Sequence, residues 1–239
     1  MPQELVLTPA TIAAAVGGAL VGPDIDRAVA GFSFDTRTLA RGDLFFALRG
    51  ERDGHAFVRE AIRAGAAGAV ISDRGLIGTP ELAATPLVVV SDTIAALQAL
   101  GSHVRRSSGA AVVAVTGSAG KSTTKEITAE FLSARYRVFR NRGNLNNHIG
   151  LPLSLLELRR RPDIGVLELG MNHAGEISAL VKMADPEVRV WTNVGPAHLE
   201  FFGTLDAVAE AKAEILEGAR KDSLLVANAD DDRVMRHAA

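Results

Sequence analysis

A glycine-rich stretch that ends in lysine and serine is the part of this sequence whose residue types point most directly to chemistry. Residues 116–123 read Thr-Gly-Ser-Ala-Gly-Lys-Ser-Thr. Consecutive backbone N–H groups in such a loop can surround the oxygens of a polyphosphate, a lysine adds a positive charge, and a serine hydroxyl can bind Mg²⁺. Lys121 and Ser122 therefore predict a phosphate-binding loop. The competing interpretation is a chance Gly-Lys-Ser turn.

The segments on either side of this stretch are those that a phosphate-binding loop requires. A short run rich in valine, residues 112–115, is typical of a buried parallel strand. A helical pattern with Ile127, Phe131 and Leu132 on one side follows the loop. The loop is shorter than the common form, because Val115 stands where G-x-x-x-x-G-K-S has its first glycine. The order of strand, loop and helix favours the phosphate-binding interpretation.

Two further side chains are predicted near the same edge of the sheet. Glu168 lies in the otherwise apolar run 164–169, where a buried carboxylate is costly unless it is paired or bound to a cation. Glu168 is therefore either a metal ligand or a solvent-exposed residue at a strand end. His198 follows the predicted strand 188–194. A loop histidine at this position is either structural or part of the site.

Lys212 is the unusual residue of its predicted helix, 205–219. Two apolar stripes with three- and four-residue spacing both pass through this lysine. Either the stem packs while the ammonium stays in water, or the side chain points into a site. The sequence leaves these two interpretations open. It also leaves open whether Asn144, Asn146 and Asn147, in the polar run 141–148, contact a substrate or phosphate or are ordinary loop residues.

The order of predicted elements indicates an α/β protein with two domains, 1–107 and 108–239. The first is a small α/β unit, and the break at Arg105–Gly109 separates it from the second. In the second, strands and helices alternate, which predicts a mostly parallel sheet with helices on both faces and ligands at the carboxyl ends of the strands. This sheet looks incomplete at the C-terminus, because the chain stops soon after residues 228–232.

Composition limits the classes of function. The chain has 239 residues, a net charge of −2 and no cysteine. Disulfides and cysteine nucleophiles are thereby excluded, and no general attraction to nucleic acid is expected. The apolar run 12–21 is about half as long as a membrane span, and no basic residue precedes it, since the first is Arg27. We expect a monomeric cytoplasmic protein without a membrane span.

Taken together, these motifs resemble the Mur ligase family. The residues that carry the resemblance in the second domain are Thr116–Thr123, Gly143–Pro152, Glu168–Asn172, Gly175–Ile177, His198–Glu200 and Ala211-Lys212. The shortened phosphate loop is normal for that family. In the first domain, Phe34–Arg37, Gly42–Gly50 and Asp53–His55 resemble the family's UDP-sugar-binding domain. The resemblance implies that the chain covers this domain and part of the central domain, and lacks the family's C-terminal domain.

The resemblance also implies roles for individual residues. The ATP phosphates would be held by the loop residues Thr116, Gly117, Ser118, Ala119, Gly120, Lys121, Ser122 and Thr123, and Asn228 would lie near the adenine. Mg²⁺ would be held by Ser122 and Glu168, and a second Mg²⁺ by His198 with Lys212, which in the family is often carbamylated. Lys121, Glu168, His198 and Lys212 would be the catalytic residues. Substrate contacts would come from Asp35, Thr36, Arg37, Gly54, His55, Asn144 and Asn147.

The reaction implied by the resemblance is ATP-driven amide formation through an acyl phosphate. Gly170–Asn172 and the run Asn144–Leu151 look most like the family member that joins D-alanyl-D-alanine to UDP-N-acetylmuramoyl-tripeptide in peptidoglycan synthesis. One alternative is a ligase like folylpolyglutamate synthetase, against which the Phe34–Arg37 motif argues. The other is a nucleotide-binding fragment without ligase activity.

Overall fold

The computed structural model describes residues 3–197 and 199–238, so His198 lies outside the described residues. The chain divides into two compact units. We call Leu5–His103 the N-terminal unit, and Val104–Ala239, with the first residues up to Glu4, the C-terminal unit. The division falls inside helix α3, four residues before the predicted boundary at 107. The functional assignment of the two units remains a prediction.

The N-terminal unit is a five-stranded sheet with the strand order β1-β5-β4-β3-β2. Its strands are parallel to their neighbours except for β1, which is antiparallel to β5. Its strands are β1 (Ala19–Val21), β2 (Phe32–Ser33), β3 (Leu44–Phe46), β4 (Gly68–Ile71) and β5 (Leu87–Val89). Its helices are α1 (Pro9–Ala15), α2 (Val58–Arg63), which follows a 3₁₀ turn at Gly54–Phe57, and the first part of α3 (Thr93–Ser108).

Local sequence signals explain most of these elements. Thr8 caps α1, with Pro9 in the first turn, as the sequence predicts. Leu20 lies in β1, because α1 ends at Ala15 and Gly17 turns the chain at a φ of +64°. Strands β3, β4 and β5 are buried throughout, so their side chains form the core between the helices.

The C-terminal unit is a fully parallel five-stranded sheet with the order β10-β9-β6-β8-β7. Its strands are β6 (Ala111–Thr116), β7 (Val138–Arg140), β8 (Ile164–Glu168), β9 (Val188–Trp191) and β10 (Leu224–Ala227). Its helices are α4 (Lys121–Ser133), α5 (Gly150–Leu156), α6 (Glu176–Ala184), α7 (Leu199–Phe202), α8 (Leu205–Ala213) and α9 (Asp232–Ala238). Strand β6 is central, so the loops that follow β8 and β9 flank the loop that follows β6. The predicted α/β fold class is confirmed.

Three details differ from the sequence-based expectations. Of the predicted apolar side of α4, Leu132 packs against the core, whereas Phe131 is 78% exposed and Ile127 is 50% exposed. The helix buries Lys125 and Ala129 instead. Helices α7 and α9 were not predicted. The expected break at Arg105–Gly109 is helical up to Ser108. The last turn of α3 is held in place by the buried guanidinium of Arg105. This group pairs with Glu187 and donates hydrogen bonds to the carbonyls of Ala184, Ala110 and Asp185.

None of the helices in the described ranges is both long enough and apolar enough to span a membrane.

Candidate active site

The predicted phosphate-binding loop lies between the end of β6 and the start of α4. Thr116 is the buried last residue of β6, and Gly120 precedes the helix at a φ of +76°. The first backbone hydrogen bond of α4 runs from Thr124 N to Gly120 O at 2.9 Å. The N–H groups of residues 120–123 therefore have no carbonyl partner within the helix, and they form the positive end of the helix dipole. This is the geometry that binds phosphate oxygens.

The first half of the loop makes different contacts. The Ser118 N–H donates to the Asn193 carbonyl at 3.0 Å, and the Ala119 N–H donates to the Asn193 side-chain oxygen at 2.9 Å. These two N–H groups are thus committed to the segment after β9. Gly117 has a φ of +151°, and a Cβ there would overlap the hydroxyl oxygen of Thr192. Only glycine permits this close approach of the two loops.

Lys121 folds back over the same loop. Its ammonium group donates to Gly117 O at 2.9 Å and to Ser118 O at 3.4 Å. The positive charge thereby lies beside the N–H groups of residues 120–123. A lysine held over the loop can neutralise phosphate charge as it develops.

Glu168 ends strand β8 and lies beside the start of α4. It is only 3% exposed. The Ser122 hydroxyl donates to Glu168 Oε2 at 2.6 Å, and the Asn146 amide donates to Oε1 at 2.8 Å. The alternative of a solvent-exposed strand-end glutamate is therefore excluded.

The donor set around Glu168 fits Mg²⁺. A carboxylate and a hydroxyl oxygen meet at the strand edge, and Mg²⁺ prefers oxygen ligands. No cluster of three or more His, Cys, Asp or Glu side chains suited to a metal occurs among residues 3–197 and 199–238. One carboxylate with one hydroxyl agrees with Mg²⁺, which is usually bound by one or two carboxylates together with substrate phosphates. Ser122 and Glu168 are the described residues that would hold it.

Two asparagines of the polar run support this carboxylate. Asn141 is fully buried; its side-chain oxygen accepts from Glu168 N at 2.9 Å, and its amide donates to Leu145 O at 2.9 Å. Asn146 makes the bond to Glu168 described above. The sequence assigned no role to Asn141 and left open for Asn146 a contact with substrate or phosphate. The signal that could have found them was the density of asparagines in the run 141–148.

Lys212 lies in the last turn of α8 and is only 2% exposed. Burial, and secondly the positive charge of Lys121, lower the pKa of Lys212 to about 8. Within the described ranges, no hydrogen bond or ion pair of its ammonium is found. The interpretation in which the ammonium stays in water is therefore wrong.

The end of α8 is docked onto the start of α6. The Glu214 carboxylate, two residues after Lys212, accepts from Gly175 N at 2.6 Å and from Ser178 N at 3.0 Å. These bonds satisfy N–H groups in the first turn of α6. They hold the helix segment that carries Lys212.

The remaining predicted residues of this unit have distinct positions. Asn228 follows β10, and its amide donates to Thr192 O at 2.8 Å. Asn144 and Asn147 are exposed, and Asn147 Oδ1 accepts from the N–H of Gly150, the first residue of α5, at 2.8 Å. A cavity of about 420 Å³ lies beside Asn147, between the polar run and the start of α6. His198 lies outside the described residues, so its predicted role is untested.

The predicted substrate residues of the N-terminal unit form two groups. Asp35, Thr36 and Arg37 follow β2; Arg37 is exposed and pairs with Asp35 through a 2.6 Å bond. Hydrogen bonds from the Arg37 side chain and backbone lower the pKa of Asp35 to about 2. The Arg37 guanidinium is thus oriented but open to solvent.

Gly54 and His55 form the second group. A Cβ on Gly54 would lie 2.6 Å from Leu48 O, so only glycine fits there. His55 is buried; its Nδ1 bonds the Asp53 carboxylate at 2.5 Å, and its Nε2 accepts from Ser72 N at 2.9 Å. Both ring nitrogens therefore hold the end of β4 against the 3₁₀ turn, and a contact of His55 with substrate remains a prediction.

Comparison with known proteins gives consistent matches. Residues 115–239 match the family model of the Mur ligase middle domain. The chain is 43% identical over 222 residues to the UDP-N-acetylmuramoyl-tripeptide–D-alanyl-D-alanine ligase of Bacillus subtilis, covering 92% of this chain and 48% of the relative.

Solved structures agree. The MurF crystal structure from Acinetobacter baumannii matches with a TM-score of 0.88 and 34% identity, covering 98% of this chain and 51% of that one. The MurF ligase of Thermotoga maritima in complex with ADP matches with a TM-score of 0.72 and 35% identity, over 82% of this chain and 45% of that one. The chain thus spans about half the length of the relatives that it matches.

Proposed function

Because the chain belongs to the Mur ligase family, we propose that its C-terminal unit binds ATP for an amide-forming ligase of peptidoglycan precursor synthesis. The observation that carries this proposal is the joined arrangement of the phosphate loop, Lys121, Ser122 and Glu168 at one edge of a parallel sheet. The Thermotoga maritima relative, crystallised with ADP, supports the choice of an adenine nucleotide.

The proposed substrates are UDP-N-acetylmuramoyl-tripeptide and D-alanyl-D-alanine. The Bacillus subtilis relative is named for joining these two. The N-terminal unit would bind the UDP-sugar, with Arg37 available to a phosphate because its guanidinium is exposed. We place the reaction in the cytoplasm as part of the same proposal, because ATP is supplied there.

The reaction would proceed in two displacements. An oxygen of the tripeptide carboxylate attacks the γ-phosphorus, the bond to the β-phosphate oxygen breaks, and ADP leaves with the electron pair. The amine of D-alanyl-D-alanine then adds to the carbonyl of the acyl phosphate. The tetrahedral intermediate expels inorganic phosphate, the nitrogen loses a proton, and an amide remains.

The residues of this chain would act by positioning and by charge. The N–H groups of residues 120–123 and the Lys121 ammonium would hold the phosphates in line for attack. Ser122 and Glu168 would hold Mg²⁺, which neutralises phosphate charge when bound. A nucleophilic side chain is not needed, because the transferred group moves directly between substrates.

Lys212 would contribute as a carbamate. A neutral lysine amine forms an N–C bond to CO₂ and releases a proton to solvent, which leaves an anionic carbamate. A pKa of about 8 makes the neutral amine far more abundant than for an ordinary lysine. The anion would replace a cation that Lys121 repels. With His198, it would supply ligands for a second Mg²⁺.

Phosphate release by the complete gene product tests the function. We expect release from ATP only when both UDP-N-acetylmuramoyl-tripeptide and D-alanyl-D-alanine are present. Release that instead requires a folate and glutamate would indicate a ligase like folylpolyglutamate synthetase. ADP binding without substrate-dependent release would indicate a nucleotide-binding protein without ligase activity.

A further inference from the structure

The phosphate-binding loop is joined to the segment after β9 by a dense set of hydrogen bonds around one residue, Asn193. Its carbonyl accepts from Ser118 N at 3.0 Å. Its side-chain oxygen accepts from Ala119 N at 2.9 Å, and its side-chain nitrogen donates to Ala119 O at 3.2 Å. A single side chain therefore binds both the N–H and the carbonyl of one loop residue.

This pairing requires an amide side chain. An amide offers one acceptor and two donors on the same planar group, as a backbone peptide unit needs. Aspartate has nearly the same shape but cannot donate when ionised, and it would place a negative charge against Ala119 O. The contact is thus specific for asparagine rather than for its volume.

Neighbouring residues reinforce the same junction. The Thr192 hydroxyl donates to Ala119 O at 2.7 Å. The Ser118 hydroxyl donates to Gly195 O at 3.1 Å and accepts from Gly195 N at 2.8 Å.

The segment after β9 is itself held from its other side. Asn228 donates to Thr192 O at 2.8 Å, and Asp231 accepts from Val194 N at 2.7 Å. Asn193 therefore connects the loop to a fixed support.

We propose that Asn193 is a positioning residue for nucleotide phosphates: it holds Ser118 and Ala119 against β9 so that the N–H groups of residues 120–123 converge on the ligand. This inference rests on the proposed nucleotide function. The backbone N–H groups of Ser118 and Ala119 donate to Asn193 and so are not available to phosphate oxygens. These bonds also fix the start of α4, since only Gly120 separates Ala119 from the helix.

Two substitutions separate this role from a general contribution to stability. Asn193→Ala removes both side-chain bonds. Asn193→Asp keeps the shape and the acceptor for Ala119 N but loses the donor to Ala119 O. The matched control is Ser133→Ala, which removes a 2.7 Å side-chain bond to Ala129 O at the far end of the same helix, α4.

The test measures ADP affinity by calorimetry, and kcat and KM, with the complete gene product. We expect Asn193→Ala and Asn193→Asp each to weaken ADP binding by about tenfold. The KM for ATP should rise by a similar factor, while the KM for D-alanyl-D-alanine stays unchanged. A purely structural loss would lower the fraction of folded enzyme without this selective change in KM. Ser133→Ala should match the wild type.

Amide hydrogen exchange of the ligand-free protein gives a second measurement. The Ala119 N–H should exchange slowly in the wild type and in Asn193→Asp, and at least about tenfold faster in Asn193→Ala.

Three outcomes would overturn the inference. They are wild-type ADP affinity in both Asn193 variants, equal losses in Ser133→Ala, and unchanged Ala119 exchange in Asn193→Ala. A wild-type protein that binds no ADP would overturn the proposed function, and this inference with it. Normal wild-type binding with unaffected variants would overturn this inference alone.

Discussion

The Ser122 hydroxyl donates to the buried Glu168 carboxylate at 2.6 Å, which ties the first turn of α4 to the end of β8. The second oxygen of Glu168 accepts from Asn146 at 2.8 Å. Strands β6 and β8 are parallel neighbours, so the loop and the carboxylate lie at the same sheet edge. Two oxygen ligands are thereby held beside the N–H groups that we propose bind phosphate.

We predict that Glu168→Gln removes the effect of Mg²⁺ on nucleotide binding. Glutamine can still accept the bond from Ser122, but it has no charge with which to hold a divalent cation. Calorimetric titration of ADP with and without Mg²⁺ should show tighter binding with the metal in the wild type only. Glu130→Gln, at an exposed position of α4, should behave as the wild type. A full Mg²⁺ effect in Glu168→Gln would refute the assignment.

Lys212→Met should stabilise the C-terminal unit in a pH-dependent way. The folded pKa of Lys212 is about 8 and the ordinary value is 10.5. Below pH 8 both states are protonated, so the folded state bears the full cost of a buried charge, up to about 3 kcal/mol. As the pH rises from 8 to 10.5, the unfolded state binds more protons than the folded state, so wild-type stability rises and this cost disappears.

Denaturant unfolding in CO₂-free buffer checks this prediction at pH 7 and pH 10.5. The gain of Lys212→Met over the wild type should be larger at pH 7 by roughly that amount. The control is Lys221→Met, at an exposed position. A gain that is the same at both pH values would show that the amine is not buried as a charge.

Gly117→Ala should damage both stability and ADP binding. The new Cβ would overlap the Thr192 hydroxyl oxygen, and alanine is strained at a φ of +151°. Together these effects should cost about 2–4 kcal/mol of unfolding free energy. Gly109→Ala is the control, because Gly109 has a φ of +73° but no atom near its Cβ position. It should cost only about 1 kcal/mol and leave ADP affinity unchanged. Equal effects of the two substitutions would contradict the close contact of Gly117 and Thr192.

The N-terminal unit should fold alone and bind the UDP-sugar. A fragment of residues 1–108 keeps α3 complete. Calorimetry with UDP-N-acetylmuramoyl-tripeptide should give binding heat that Arg37→Ala greatly reduces, because the exposed guanidinium is lost. Arg63→Ala, at the exposed end of α2, is the control. An unfolded fragment, or a folded one that does not bind, would overturn this assignment.

Much of the fold was predictable because local signals and tertiary structure agree. Thr8 and Pro9 mark a helix start, and the apolar runs before Thr116 and Glu168 are buried strands. The prediction for helix α4 was wrong for Ile127 and Phe131, which are exposed, whereas the structure buries Ala129 and the whole side chain of Lys125. Periodicity identifies an apolar stripe, but it does not say whether another element covers it.

The site was predictable only in part, for a similar reason. Lys121 and Ser122 belong to a contiguous motif with its own chemistry. Three asparagines of the site act through hydrogen bonds to residues that are 22–75 positions away in sequence: Asn141, Asn146 and Asn193. Asn146, for example, bonds Glu168, and Asn193 bonds Ala119. Such bonds depend on which strands are neighbours, and a single sequence does not specify this pairing. For Lys212, the sequence left two interpretations open, and burial excluded one of them.

The most direct test of the account is the nucleotide affinity of Lys121→Ala in the complete gene product. Lys121 is held over the loop by its bonds to Gly117 O and Ser118 O, where its charge can meet phosphate. Calorimetry should show ADP affinity roughly tenfold to a hundredfold lower than that of the wild type. Lys182→Ala, an exposed lysine of α6, should bind ADP normally. Wild-type ADP affinity and reaction rate in Lys121→Ala would contradict the assignment of residues 116–123 as the phosphate-binding loop.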